Sequence, residues 1–459
     1  MNQPAARLFL TVVVLFGLLI AFTSRWTVFE AQALRDNPAN HRTLLQEERI
    51  KRGTIRASDG TVLGASRPIS GGRYARRYPT GNLFSHPVGY FSIDRGTTGL
   101  EDSYDDALSG RSTTAIGAFE RLLGPQNVGD DLRTTLSPAG QRAAYAGLNG
   151  RPGAVVALDV KTGAVRVLAT TPSYNPNDPA KAQTFNRATQ GRYPPGSTFK
   201  TVTAAAALDT GKFTPNSQVN GANHQTISGA PLDNFGGEDF GNVDLTFALT
   251  QSINTVWAQV GVRLGKSAMS QYMKRFGFYA DPPMDYPDSQ MLPSGEYLNG
   301  KLLPVGSSRV DVGRMAIGQD KLLVTPLQMA TVAQTIGNGG LRMEPRLVQK
   351  VVDSDGREVD RPLPKEAERV MSSKAAGQLA EMMRHVVNEG TGTAAALQGV
   401  QLAGKTGTAE VDPAAGINDL WFIGFTGRDA VAVVLERQHG TGGPVAGPIA
   451  KQVLQALGQ

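Results

Sequence analysis

The sequence predicts an α+β protein in which helices flank one antiparallel sheet, behind an apolar N-terminal segment and a polar, irregular α+β module. Two β-branched runs, at 154–159 and 164–170, begin the second half of this organisation. A helical middle follows, and three more strand-like runs cluster near the C-terminus. Strands drawn from both ends of one segment predict a five-stranded antiparallel sheet whose faces the intervening helices cover.

The first element is an uncharged, mostly apolar run at residues 8–22. As a helix it rises only about 22 Å, short of a bilayer's roughly 30 Å, but residues 5–29 span if Arg7 and Arg25 extend to the interfaces. Ala21 and Thr23 make a poor signal-peptidase site, which favours an uncleaved anchor over a cleaved signal peptide or a buried core helix. We therefore expect residues 1–31 to be a cytoplasmic tail and membrane anchor, with the rest outside the cytoplasmic membrane.

The second element is a module at residues 32–150. Turn signals such as Asn37-Pro38 and Asp59-Gly60 separate short strand-like pieces, which indicates an irregular α+β arrangement. The glycine- and proline-containing segment 150–153 ends it. Residues 151–459 are then predicted to form the second, larger domain.

Within that domain, residues 160–163 (VKTG) join the first two strands as a hairpin. The patterns further predict helices at 197–208, 245–260, 326–336 and 375–388, strands at 400–410, 420–426 and 430–436, and an amphipathic terminal helix at 449–457.

Composition excludes several kinds of chemistry. The chain has no cysteine, and its five histidines are scattered without paired spacing, so neither a metal site nor a cofactor is expected. The net charge is +6, but the basic residues are dispersed along the chain without interleaved aromatics. Nucleic-acid binding is therefore not expected.

Ser197 is the first candidate catalytic residue. It follows two prolines and a glycine and precedes an alanine-rich helical run, which places it at a helix N-terminus that favours an oxyanion. Lys200 lies three residues on, on the same helical face, and can activate a serine if burial lowers its pKa. Taken alone, the pair is more often an N-cap followed by a surface lysine.

Two further motifs add polar groups. Ser252 and Asn254 stand two residues apart, so a hydroxyl and a carboxamide could relay a proton and hold a substrate amide. Taken alone, they are more often polar interruptions of a helix.

The third motif, Lys405, Thr406, Gly407 and Thr408, follows a strand-like run. On a strand, Lys405 and Gly407 face one way and the two threonines the other, and Gly407 allows the backbone of a ligand to approach. Lysine and hydroxyl groups side by side suit the binding of a carboxylate. Taken alone, the motif is more often an edge strand that carries one charged residue.

The order S-x-x-K, S-x-N, K-T-G is the signature of penicillin-binding proteins and serine β-lactamases. With its flanking motifs, the sequence resembles the class B penicillin-binding proteins, monofunctional peptidoglycan D,D-transpeptidases, and among them the compact actinobacterial type. The flanking motifs are 37–42 (NPANHR), 52–55 (RGTI) with 59–60 (DG), 99–110, 316–319 (AIGQ), 325–328 (TPLQ), 390–394 (GTGTA) and 421–424 (WFIG). Asp419 and Leu420 depart from the family pattern, which has a His-Ala or similar pair before the tryptophan.

The resemblance implies a β-lactamase/transpeptidase-like fold at 151–459 and a dimerisation or pedestal module at 32–150. It also implies the catalytic roles. Ser197 would attack the D-Ala-D-Ala carbonyl of a stem peptide with Lys200 as base, and Ser252 would relay a proton to the leaving amine. Asn254 would orient the donor amide, and Lys405 would supply positive charge.

For substrate binding, the resemblance implies that the hydroxyls of Thr406 and Thr408, on either side of Gly407, hold the terminal carboxylate. The backbone N–H groups of Ser197 and Thr408 would form an oxyanion hole. Implied partners are peptidoglycan stem peptides, β-lactam antibiotics, the cytoplasmic membrane, a SEDS-family glycosyltransferase and other elongation or division proteins. A serine β-lactamase and a catalytically idle scaffold of the cell-wall machinery remain as alternatives.

Overall fold

A computed structural model of the chain describes residues 3–25, 47–111 and 128–458. The chain divides into two compact units, one formed by Met1–Lys51 with Arg67–Ala75 and the other by Arg52–Ser66 with Arg76–Gln459. The predicted boundary at residue 31 and the motif at 37–42 lie outside the described residues. The predicted division at residue 150 stays a prediction.

The first unit contains one long helix, α1 (Gln3–Ser24), which confirms a helix over residues 8–22. Its 22 residues rise about 33 Å, and Ala6–Ser24 has a mean hydropathy of 2.3 with its side chains exposed. The hydroxyls of Thr11 and Thr23 donate to the carbonyls of Arg7 and Leu19, four residues back. These bonds satisfy hydroxyls that would otherwise be costly to place in lipid. Together with its length and hydropathy, they make α1 a candidate membrane span.

The remaining longer helices are α2 (Pro138–Leu148), α3 (Lys200–Asp209), α4 (Leu245–Thr250), α5 (Asn254–Arg275), α6 (Pro326–Gly337), α7 (Ser373–Asn388) and α8 (Gly442–Ala456). The strands of the two main sheets are β1 (Ile55–Arg56), β2 (Val62–Ile69), β3 (Arg73–Arg77), β4 (Asp131–Thr134), β5 (Gly153–Asp159), β6 (Val165–Thr171), β7 (Val348–Val352), β8 (Glu358–Asp360), β9 (Ala403–Asp412), β10 (Ile417–Phe425) and β11 (Asp429–His439). Short two- and three-stranded ladders pair Phe91–Ser92 with Gly96–Thr97, Gln218–Asn220 with Asn242–Asp244, Gln225–Ile227 with Ala230–Leu232, Gly295–Leu298 with Lys301–Leu302 and Leu322–Leu323, and Leu341–Met343 with Glu366–Arg369.

The predicted five-stranded antiparallel sheet is confirmed, with strand order β9-β10-β11-β5-β6. The turn at 160–163 joins β5 to β6, as the hairpin signal indicates. Strand β9 is at the edge of the sheet, so one row of its backbone groups is not used in sheet pairing.

Alternating residues of this sheet enter two cores. Val155, Phe422 and Val433 pack with Ala450 and Val453 of α8 on one face. The opposite residues, among them Val156, Trp421, Ile423 and Val434, pack with α3, α5, α6 and α7 on the other. Helices therefore flank both faces, as the α+β prediction requires.

Two helix predictions are corrected. The helix expected at 245–260 is interrupted, because Ser252 has a φ of +61° and separates α4 from α5. The terminal helix begins at Gly442 instead of residue 449. Its first turn lies directly against β9, where a Cβ on Gly442 would stand 2.2 Å from the carbonyl oxygen of Gly407.

The second sheet has the order β8-β7-β4-β1-β2-β3. Strand β7 pairs antiparallel with β4, so strands from 348–360 extend a sheet that begins in the predicted N-terminal module. Beside this sheet, Glu101 is fully buried and receives hydrogen bonds from Arg52 Nε (3.2 Å) and Arg76 Nε (2.5 Å).

Candidate active site

Ser197 lies in a 3₁₀ turn, Gly196–Phe199, immediately before α3. The chain leading to it is held from two sides, since Trp421 Nε1 donates to Pro194 O (2.9 Å) and Gly196 N donates to Gly318 O (3.0 Å). Within the described part of the chain, the Ser197 hydroxyl makes no hydrogen bond. The turn is therefore fixed while its nucleophilic oxygen is left free for a substrate.

Lys200 and Lys405 are fully buried and converge on Ser252. Lys200 Nζ donates to Ser252 O (2.6 Å) and to Asn254 Oδ1 (2.7 Å), and it lies 3.3 Å from Ser252 Oγ. Lys405 Nζ donates to the same Oγ (2.9 Å) and to Thr406 O (3.1 Å). The fold thus brings the three predicted motifs together around one hydroxyl.

Burial lowers the pKa of Lys200 well below its ordinary value, and the charge of Lys405 lowers it further. Burial also lowers the pKa of Lys405, to about 7. Among the described residues, no carboxylate forms an ion pair with either lysine amine. Two buried amines without a counter-ion favour the neutral form of at least one, which is the form that can accept a proton.

Ser252 takes its central position because its backbone is in the left-handed conformation. The left-handed conformation costs a non-glycine residue on the order of 1 kcal/mol, and it turns the chain sharply between α4 and α5. As a result, the carbonyl of Ser252 meets one lysine and its hydroxyl meets both. A continuous helix would have used that carbonyl in its own hydrogen-bond ladder.

Strand β9 carries the predicted substrate-binding residues along the cleft. Thr406 Oγ1 is 2.7 Å from Thr391 Oγ1, and Thr408 Oγ1 accepts from Gly442 N (3.2 Å). Gly407 has a packing role that the sequence did not indicate. A Cβ there would meet Pro195 O at 2.8 Å, so its small size admits the Ser197 turn. The approach of a ligand backbone at Gly407 stays a prediction.

The cleft beside Ser197 has a volume of about 580 Å³. Besides the predicted residues, it is lined by others that the sequence did not single out as site residues, including Asn234, Phe235, Gln319, Thr391, Glu410 and Asn418. Thr391 and Gln319 belong to motifs that carried the family resemblance. The others lie in segments whose sequence holds no comparable signal.

Asn234 fixes the rim of the cleft opposite β9. Its Oδ1 accepts from the backbone N–H of Thr255 (3.0 Å), and its Nδ2 donates to Gly221 O (2.9 Å). Asn254 Nδ2 donates to Asp233 O (3.1 Å) in the same segment. These bonds connect the start of α5 to a loop that presents Phe235, 67 % exposed, at the cleft.

Comparisons with known proteins agree with this geometry. Residues 153–455 match the penicillin binding protein transpeptidase domain, and residues 52–131 match the penicillin binding protein A dimerisation domain. Over 99 % of both chains, the sequence is 33 % identical to the peptidoglycan D,D-transpeptidase PbpA of Mycolicibacterium smegmatis and 34 % identical to that of Mycobacterium tuberculosis. The structure matches the penicillin G acyl-enzyme complex of M. tuberculosis penicillin-binding protein A with a TM-score of 0.78 and 32 % identity, covering 89 % of this chain and 100 % of the other.

Proposed function

The chain belongs to the class B penicillin-binding proteins, and from this premise we propose that it is a peptidoglycan D,D-transpeptidase acting through an acyl-enzyme on Ser197. One observation carries the residue assignment. Two buried lysines without a carboxylate partner among the described residues enclose Ser252. In the same cleft is Ser197, whose hydroxyl makes no hydrogen bond to any described residue.

Lys200 is the general base. A neutral lysine amine has two N–H groups and one lone pair. Its two shortest contacts, to Ser252 O and Asn254 Oδ1, occupy both N–H groups. The lone pair is then available for the Ser197 proton, which moves to Nζ as the bond from Oγ to the substrate carbonyl carbon forms.

The oxyanion that develops is stabilised by the backbone N–H groups of Ser197 and Thr408. The two segments are packed closely, because a Cβ on Gly196 would lie 2.9 Å from Thr408 O. Each donor of this kind contributes roughly 3 kcal/mol to the transition state. Both donors belong to elements fixed by the fold, so little reorganisation accompanies the reaction.

Collapse of the tetrahedral intermediate breaks the bond between carbonyl carbon and nitrogen. The proton held by Lys200 passes through Ser252 Oγ, 3.3 Å away, to the departing D-Ala amine. Lys405 donates to that Oγ and keeps it oriented, and Thr406 and Thr408 hold the terminal carboxylate with their hydroxyls. An amine of a neighbouring stem then attacks the acyl-enzyme, loses its proton by the reverse route and forms the crosslink.

The serine β-lactamase alternative requires a base that activates water against the acyl-enzyme. Asp233 and Glu410 are the carboxylates among the described residues that line the cleft, and neither is hydrogen-bonded to Ser197. Asp233 instead pairs with His224 (2.9 Å). The idle-scaffold alternative has less support, because every residue of the proposed machinery is present and hydrogen bonds join Lys200, Ser252, Asn254 and Lys405.

At the level of the whole chain, α1 holds residues 1–31 in and beside the cytoplasmic membrane, and the catalytic residues lie outside it with their substrate. Residues 32–150 form the pedestal module and 151–459 the transpeptidase domain. A SEDS-family glycosyltransferase and other elongation or division proteins are the partners that this arrangement suits, because the crosslinking step requires newly polymerised strands.

Mass spectrometry after incubation with penicillin G tests the proposal. We expect one penicilloyl adduct, on the peptide containing Ser197, and none on a folded Ser197→Ala variant. We expect the wild-type adduct to decay at about 10⁻³ s⁻¹ or more slowly, which corresponds to a barrier of about 21 kcal/mol or more. An adduct on another serine contradicts the nucleophile assignment, and rapid penicillin turnover contradicts the transpeptidase assignment.

A further inference from the structure

Glu410 is a charged residue of the cleft that the proposed mechanism does not use. It is exposed, it lines the cleft, and its carboxylate makes no hydrogen bond or ion pair with any described residue. On β9 it follows Thr406 and Thr408 at two-residue spacing, so these three side chains share one face of the strand. Glu410 therefore continues the row that begins with the two carboxylate-binding hydroxyls.

The direction of the donor peptide follows from the edge position of β9. An extended peptide that adds antiparallel to this edge has its C-terminus toward Thr406 and its earlier residues toward Glu410. With the terminal carboxylate at the threonines and the scissile carbonyl at Ser197, the residue before the acylated D-Ala lies beyond Thr408. Glu410 is about 7 Å along the strand from Thr408, within reach of that residue's side chain.

The charge of the cleft indicates what that side chain carries. The residues that line the cleft include no lysine or arginine within the described part of the chain. Its other carboxylate, Asp233, is already paired with His224. Glu410 is thus an unpaired negative charge beside the path of the donor, and it suits a primary ammonium.

We propose that Glu410 is a specificity-determining residue that recognises a side-chain ammonium on the donor residue preceding the acylated D-Ala. The inference rests on the proposed transpeptidase function and adds to it the residue that would read this position of the donor peptide. Because the pair is solvent-exposed, the preference it confers is modest, about threefold to fivefold, and weakens as salt rises.

The test uses the full-length chain and two donor pentapeptides ending in D-Ala-D-Ala. One has lysine before the first D-Ala, and the other has Nε-acetyl-lysine. Exchange of the terminal residue for labelled D-Ala measures kcat/KM for each. We expect the wild type to prefer the free amine about threefold to fivefold, Glu410→Gln to lose the preference, and Glu410→Lys to reverse it.

Glu366→Gln is the matched control, because Glu366 is also an exposed strand glutamate and lies outside the cleft. It should keep the wild-type preference. A wild type without preference, or Glu410→Gln with an unchanged preference, overturns the inference. The penicillin G adduct on Ser197 of the wild type tests the proposed function separately, because penicillin G lacks a cationic side chain. Failure of that adduct in the wild type would instead contradict the proposed function.

Discussion

Arg52 and Arg76 are buried against Glu101, within the residues that match the dimerisation domain, whereas Lys200 and Lys405 are buried around Ser252 with no carboxylate partner among the described residues. Burial opposes the charge of Arg52, but Glu101 and Asp105 raise its pKa above the ordinary value. Burial lowers the pKa of both lysines.

The difference teaches how one protein uses buried cations in two ways. A counter-ion keeps a buried cation charged and makes it structural, because each partner depends on the other. Without a counter-ion, the cation shifts toward its neutral form, and a neutral lysine is a base. Burial therefore produces a fixed ion pair at Glu101 and an amine that can accept a proton beside Ser252.

The largest effect is expected from Lys200→Met, which removes the base and keeps an apolar chain of similar volume. Acylation by penicillin G should slow about 10³-fold, a loss of about 4 kcal/mol in the transition state. The unfolding transition should change little, since the cost of burying an amine without a counter-ion is removed together with the hydrogen bonds to Ser252 O and Asn254 Oδ1. Adduct formation followed by mass spectrometry gives the rate, and thermal unfolding gives the stability. Acylation at the wild-type rate would show that another group is the base.

The opposite pattern is expected from Glu101→Gln, in the region that matches the dimerisation domain. Both arginines lose their shared carboxylate and remain buried, which should lower the free energy of unfolding by about 3 kcal/mol. The folded protein should still be acylated at the wild-type rate, because Ser197 and the two lysines are untouched. Denaturant unfolding and adduct formation, measured on one sample, check both halves. A variant that unfolds normally but acylates slowly would refute the structural role.

A third expectation concerns the hydroxyl shared by the lysines. Ser252→Gly accepts the left-handed backbone without strain and removes only the hydroxyl. We expect acylation to fall about 10²-fold, or about 2.7 kcal/mol. Ser228→Gly is the matched control, since Ser228 also has a positive φ, of 55°, and lies outside the cleft. It should acylate as the wild type does. Equal rates for all three proteins would rule out the proton relay.

The sequence predicted the chemical groups of the candidate site better than it predicted the geometry that brings them together. Ser197, Lys200 and Lys405 were predicted from short motifs because each motif combines a turn or strand signal with a reactive group. The conformation of Ser252 was missed, since the residues around it favour a continuous helix and only the contacts with two distant lysines support the break. Local patterns cannot reveal such long-range pairing.

The same reason explains the other differences. Strand β7 joins β4 across more than two hundred residues, a pairing that no local signal encodes. Asn234 acts through the backbone of Thr255, so its role depends on where its loop meets the start of α5. The sequence pattern missed the early start of α8 because Gly442 and Gly443 disfavour a helix locally. Both glycines are needed there for close packing against β9 and Thr391.

The smallest effect tests the lysine side of the comparison by pH. Lys405 has a pKa of about 7 in the folded protein and about 10.4 in the unfolded chain. Between these values the unfolded state binds more protons, so this residue makes the folded state more stable as pH rises. From pH 7 to 8 its contribution is about 1 kcal/mol. Lys405→Met should therefore gain less stability than the wild type over that interval, by about this amount. Denaturant unfolding at the two pH values measures the difference. Equal gains would mean that Lys405 keeps its ordinary pKa, and that burial without a carboxylate does not set its charge.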